Sequence, residues 1–296
     1  MILRKNHRVL VQGITGRQGS FWTGLMQDYG TQVVAGINPK KAGTRHLGVP
    51  VYANAKEAAA NGGVDASVMF IPPQAAKAAA LDAIEAGIKT LVILTEFIPV
   101  HDVMTVLQAA RANAAQVIGP NTAGLVTPGA CFLGIMPGFN DSIFQPGRVG
   151  VISRSGSLGT LMCLNITKAG FGQSAFIGIG GDPVSGTSTR DALEALDRDE
   201  GTDAVVIVGE IGGSKEEEAA DYAAGMSKPV VAFIAGGSAP PGKKMGHAGA
   251  IVMGERGTHA SKSAALTAAG VTLLDLPSQV GGALRDALGS DTKSGY

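Results

Sequence analysis

Short apolar runs rich in valine and isoleucine alternate with alanine-rich stretches along almost the whole chain, and glycine gathers where the apolar runs end. Residues 8–12 (Arg-Val-Leu-Val-Gln) read as a buried strand that leads through a glycine-rich turn into a helix over 20–29. Further strands are expected at 32–35, 66–71, 90–94 and 116–118, with helices at 73–86 and 103–114. Repeated strand–helix alternation builds parallel βαβ units, with helices on both faces of the sheet. From 124 to 148 the pattern gives way to a Gly- and Pro-rich stretch without a period, which reads as a connection. A second series follows: strands at 149–153, 174–179, 204–208, 230–234 and 271–274, and helices at 157–169, 188–197, 215–225, 259–269 and 279–288. The expectation is α/β throughout: a Rossmann-like domain over 1–123, the connection at 124–148, a flavodoxin-like doubly wound domain over 149–290, and a polar tail at 291–296.

At 296 residues the chain has room for two such domains. Its 43 glycines are roughly twice the usual ~7% share and follow no collagen period. They sit where loops turn tightly or approach a ligand closely. The 24 basic and 24 acidic residues balance, so no broad field favours nucleic acid or a membrane surface. Aromatics, at 5%, are too few for a base-stacking surface. Cys131 and Cys163 lack metal-ligand spacing, which points to a reducing compartment and to no metal site. The first seven residues lack the apolar core of a signal peptide, and no apolar run reaches about 18 residues. A cytoplasmic protein with neither membrane nor nucleic-acid partner is expected.

The first strand ends in Gln12-Gly13-Ile14-Thr15-Gly16-Arg17-Gln18-Gly19-Ser20. Glycines at such a turn let the backbone approach a phosphate, and the helix beyond offers free N–H groups. The spacing is G-x-x-G-x-x-G; the dinucleotide fingerprint is G-x-G-x-x-G. Where an NAD site would place an acid, about 20 residues on, this chain has Asn38-Pro39-Lys40-Lys41. Lysines there favour a ligand with an additional phosphate, and NADP and coenzyme A both qualify. Two more loops follow strands on the same edge: Leu94-Thr95-Glu96-Phe97, and Gly119-Pro120-Asn121-Thr122. Four loops on one sheet edge make a ligand cleft.

In the second half, Lys243-Lys244-Met245-Gly246-His247-Ala248-Gly249-Ala250-Ile251 sets one histidine among small residues. Alone, it fits a catalytic and a structural role equally. After the strand at 204–208 comes Gly209-Glu210-Ile211-Gly212-Gly213-Ser214, whose carboxylate can hold one imidazole nitrogen and leave the other as a nucleophile. Ser153-Arg154-Ser155-Gly156-Ser157 ends a strand and opens a helix, supplying hydroxyl and N–H donors for phosphate. Gly178-Ile179-Gly180-Gly181-Asp182-Pro183 adds more backbone for close approach.

Taken in order and spacing, the blocks at 12–19, 39–43, 118–121, 153–156, 178–183, 209–214 and 246–251 resemble the α subunit of succinate–CoA ligase (succinyl-CoA synthetase), a family that includes malate–CoA ligase-type relatives. The resemblance covers nearly the whole chain. It implies a CoA-binding first domain and a second domain that carries a phosphohistidine. By position, Thr15, Gly16, Arg17 and Gln18 match the CoA loop, Lys41 a further CoA contact, and Leu94, Thr95 and Glu96 the last one. His247 matches the phosphorylated histidine and Glu210 its carboxylate partner. Ser153, Ser155, Gly156, Ser157, Thr160 and Asn121 then fall to the phosphate and the acid substrate.

The resemblance also implies an ATP-grasp β subunit, in an αβ or α2β2 assembly, that binds ATP or GTP with Mg2+. Without it this chain is expected to be inactive. The implied cycle, in the tricarboxylic acid cycle's ligase step, phosphorylates His247, passes the phosphoryl group to the acid as an acyl phosphate, and ends as CoA thiolate displaces phosphate to give the thioester. Two departures lie near the acyl end: Leu158-Gly159-Thr160-Leu161 where the family has a tyrosine, and Asn121-Thr122-Ala123-Gly124 where it reads Asn-Cys-Pro-Gly. They leave malate and other short carboxylates, sulfonated ones included, beside succinate. An NADP-dependent dehydrogenase would account for the first domain but not for His247. A non-catalytic CoA-binding protein would leave the His247–Glu210 pair without a use.

Overall fold

The computed structural model describes residues 1–238, 246–252 and 256–289; the expected tail and the lysines at 243 and 244 lie outside them. The first sheet is built from β1 (Arg8–Gln12), β2 (Gln32–Ile37), β3 (Arg45–His46), β4 (Val49–Tyr52), β5 (Ala66–Met69), β6 (Thr90–Ile93) and β7 (Gln116–Ile118). Helices α1 (Arg17–Tyr29), α2 (Ala55–Gly62), α3 (Pro73–Glu85) and α4 (Val100–Ala112) connect them. The strand order is β3-β4-β2-β1-β5-β6-β7, parallel except for the two-residue β3. Without that edge strand this is the Rossmann order.

The second sheet contains β8 (Gly124–Thr127), β9 (Cys131–Gly134), β10 (Pro146–Ser153), β11 (Gln173–Gly178), β12 (Ala204–Glu210), β13 (Val230–Ala235) and β14 (Thr272–Leu274). Its helices are α5 (Gly156–Lys168), α6 (Thr189–Asp197), α7 (Lys215–Ala223), α8 (His259–Ala268) and α9 (Val280–Leu288). The order is β14-β13-β12-β10-β11-β8-β9. Its five parallel strands follow the flavodoxin pattern, with β10 first and β11 outside it. Every residue of β12 is buried, as a central parallel strand covered on both faces requires.

The stretch 124–148, expected to be a connection, is corrected by this topology. β8 and β9 form an antiparallel hairpin that continues the second sheet beyond β11. The hairpin also ties the two sheets together. Thr31, just past α1, donates its hydroxyl to the Phe132 carbonyl at 2.7 Å and accepts the Phe132 N–H at 3.1 Å. Trp22 meets the fully buried Phe132 ring edge-on. One apolar cluster therefore runs from Val9, Val11 and Met26 through Phe132 to Phe176 and Val206. Burying a phenylalanine of this kind stabilises by roughly 1.5–3 kcal/mol. Among the described residues no helix is long and apolar enough to cross a membrane.

Candidate active site

The first cleft opens above β1, which pairs with β2 on one side and β5 on the other. The chain leaves this edge in opposite directions, the place where open α/β sheets hold ligands. Gly13 turns there at φ +77°, and a side chain on it would collide with the Phe70 carbonyl. Gly16 caps α1 without a side-chain hydrogen bond, and no acid sits in the first turn. The N–H groups that open α1 are therefore available to an anion. Thr15 is half-buried, while Gly16, Arg17 and Gln18 are exposed beside it. Lys41 is exposed on the short 3-10 turn Pro39–Lys41, which follows β2. After β6, Thr95 donates its hydroxyl to the Ile71 carbonyl at 2.6 Å; Leu94 is half-buried and Glu96 exposed. The residues expected to bind CoA thus gather on one edge, in a cradle that suits a phosphorylated ligand.

The second centre lies at the matching point of the other sheet, where β10 separates β11 from β12. The His247 Nδ1 atom stands 3.0 and 2.9 Å from the two oxygens of Glu210, the last residue of β12. A carboxylate only accepts, so Nδ1 donates and Nε2 keeps its lone pair. The hydrogen bond to Glu210 raises the pKa of His247 above the ordinary histidine value, against an opposing effect of burial. Glu210 itself is nearly fully buried.

A buried charge network fixes Glu210. Arg154, from the end of β10, brings Nε to 3.3 Å from Glu210 Oε1 and donates Nη1 to the carbonyls of Glu210 (3.3 Å) and Gly212 (2.8 Å). Lys262 of α8 is wholly buried; its Nζ donates to the same two carbonyls at 2.8 and 2.9 Å and pairs with Glu216 of α7. Beside this network lies a cavity of about 370 Å³, lined by Arg154, Lys215 and Arg256 with Gly212, Gly213 and Gly249. Burial pulls the Lys215 pKa down to about 8.

The two centres meet at one seam. Asn121, after β7, donates its N–H to the Thr95 carbonyl at 3.0 Å and accepts from the Gly181 N–H at 3.2 Å. Its side-chain amide donates to Asp182 at 2.9 Å. Gly181 in turn lies against the His247 ring, so closely that any side chain there would displace the imidazole. Gly181 and Asn121 therefore lie between the histidine and Thr95 at the end of the first cleft.

The serine turn contributes mainly through its shape. Ser153 is fully buried and donates its hydroxyl to the Ser155 carbonyl at 2.6 Å. Ser155 accepts the Leu158 N–H at 3.3 Å and so caps α5, with the Ser157 hydroxyl 3.2 Å away. Gly156 opens that helix, and Thr160 donates back to the Gly156 carbonyl at 2.8 Å. Lys262, Glu216, Asp182 and Gly181 were not singled out from sequence as site residues. A lysine in a run of alanine and serine carries no mark of facing inward, and only the Gly178–Pro183 loop as a whole stood out.

Residues 4–97 match the CoA binding domain family and residues 152–272 the CoA-ligase family. Over 289 residues the chain is 51% identical to the α subunit of the ADP-forming succinate–CoA ligase of Methanothermobacter thermautotrophicus, covering 98% of this chain and 97% of that one. The chain belongs to the succinate–CoA ligase α-subunit family. It is thus a subunit of an acid–thiol ligase with a CoA-binding domain. Within this family's reach it is also 43% identical, over 98% of its length and 99% of the relative's, to a subunit of an ADP-forming sulfoacetate–CoA ligase from Bilophila wadsworthia. The same fold recurs in an ATP citrate lyase from Methanosaeta concilii (24% identity, TM-score 0.86); the match covers 97% of this chain and half of the lyase chain.

Proposed function

We propose that this chain is the phosphohistidine-bearing subunit of a succinate–CoA ligase, and that it works with an ATP-grasp β subunit that brings ATP or GTP with Mg2+. The observation that carries the reading is the His247–Glu210 pair seated on Gly181, which is hydrogen-bonded to Asn121 and through it to Thr95 of the first cleft. With Nδ1 held, Nε2 attacks the terminal phosphorus of the nucleotide; the N–P bond forms as the P–O bond to the diphosphate breaks. A carboxylate oxygen of the acid then takes the phosphoryl group and frees Nε2. CoA thiolate attacks the acyl carbonyl and expels phosphate. Thr15, Gly16, Arg17, Gln18, Lys41, Leu94, Thr95 and Glu96 hold CoA; Ser155, Gly156 and Ser157 offer donors to the transferring phosphate. The cysteines are free thiols, in keeping with a cytoplasmic enzyme.

Labelled ATP and the partner subunit should leave an acid-labile, base-stable phosphate on the wild type and none on His247→Asn. No label on wild type with its proper partner would sink the reading. The acid is succinate in this proposal. A sulfonate is the second choice: Ala123 lies against Gly156 at the opening of α5, where the chain departs from the family's Asn-Cys-Pro-Gly, and a 43% identical relative is named for sulfoacetate. A screen of succinate, malate and sulfoacetate by kcat/KM decides between them.

A further inference from the structure

The arc from Asn38 to His46 carries Lys40 and Lys41 and is fastened to the glycine turn at both of its ends. At the first end a single amide makes two bonds. The Asn38 Nδ2 atom donates to the Thr15 hydroxyl at 2.5 Å, and its Oδ1 accepts the Lys40 N–H at 3.0 Å. At the second end, His46 Nε2 stands 2.7 Å from the Ser20 hydroxyl, which is 2.9 Å from the Ile14 carbonyl. Between these ends the arc closes on itself: the Lys41 N–H donates to the Asn38 carbonyl at 3.0 Å, and Thr44 donates its hydroxyl to the Lys41 carbonyl at 2.7 Å. Both lysines stay exposed. Asn38 and His46 are both half-buried.

We infer that Asn38 and His46 are positioning residues that set the distance between the N-terminus of α1 and the Lys40–Lys41 pair, so that the cleft selects the phosphate that CoA carries beyond its diphosphate. This rests on the reading of Thr15–Gln18 and Lys41 as the CoA site. A flexible lysine pair on an untethered loop would attract any polyanion with little preference. A pair held at fixed spacing from a helix N-terminus discriminates between ligands that differ by one phosphate. Two independent fastenings explain why the arc keeps its shape although its tip is solvent-exposed.

The test compares CoA with 3′-dephospho-CoA on the full chain with its partner subunit, measuring KM and kcat for each. Wild type should prefer CoA. Asn38→Ala and His46→Ala should each lower that preference about 5- to 10-fold, the size expected for loss of one hydrogen bond near a charge, by raising KM for CoA alone. Their kcat should stay within about twofold of wild type. His46→Gln, which can still reach the Ser20 hydroxyl, should restore most of the preference; Ser20→Ala should reproduce the loss from the other side. Because the readout is a ratio on one folded protein, partial destabilisation cancels. An unchanged preference in both alanine variants, equal weakening of both ligands, or a wild type that does not discriminate overturns the inference while the CoA site stands. A wild type that takes up no CoA overturns the site itself.

Discussion

At Glu210 one carboxylate orients His247 and at the same time favours its imidazolium form, which cannot attack phosphorus. The sign of the pH dependence follows. The pKa of His247 is raised above the ordinary ~6.5, so the rate of phosphorylation should climb with pH through a midpoint above that value. The stability contributed by the pair runs the other way. It is fully present below ~6.5 and is lost as pH rises through the raised value in the folded protein. Glu210→Gln keeps an oxygen that can accept from Nδ1 but removes the charge. It should move the midpoint down towards ~6.5 or below and slow phosphorylation about 10²-fold, the scale of a lost acid–base partner. Rapid-quench phosphorylation across pH, with an NMR titration of His247, measures both. A midpoint that does not move would mean that Glu210 is not what raises the histidine's pKa.

Between α7 and α8, the Glu216–Lys262 pair holds the end of β12 in place, since Lys262 reaches the carbonyls of Glu210 and Gly212. Removing Lys262 leaves Glu216 charged and buried, with the longer contact to Arg154, at 3.5 Å, still in place. Lys262→Met should therefore cost about 3–5 kcal/mol in urea unfolding, and the double variant Lys262→Met with Glu216→Leu should recover much of it. If the single and double variants are equally unstable, packing of α8 outweighs the ion pair. This pair also marks the limit of what could be read from sequence. The strands 8–12 and 116–118 coincide with β1 and β7, and His247 could be paired with Glu210 because the histidine lies among small residues, the carboxylate comes just after the expected strand at 204–208, and the family resemblance matches both. Lys262 could not, because a helix of small residues gives no face to a lysine. β4 is hidden by Pro50, and α2 is eight residues with only two buried. The β8–β9 hairpin has loop composition, with Gly124, Gly129 and Gly134 all at positive φ, yet its pairing to β11 makes it sheet.

Across the whole molecule, the loops that follow β6, β7 and β11 meet at Asn121, which joins the ends of the two sheets there. It sits at φ +55°, with its backbone bonded to Thr95 on one side and Gly181 on the other, and its side chain bonded to Asp182. Gly181 is the floor on which the His247 ring rests. Loss of the Asn121 side-chain bond alone would keep both backbone bonds in place and so separate the path between the sites from the sites themselves. Asn121→Gly tests that separation, because glycine accepts the left-handed backbone and only the side-chain bond is lost. Stability should fall by about 1 kcal/mol. Phosphorylation of His247 from the nucleotide should stay within about twofold of wild type, whereas discharge of the phosphoenzyme to acid and CoA should slow about tenfold. Single-turnover experiments that start from the phosphorylated subunit separate the two steps. Equal slowing of both would place Asn121 in general support of the fold; slowing of discharge alone ties the seam to transfer between the two sites.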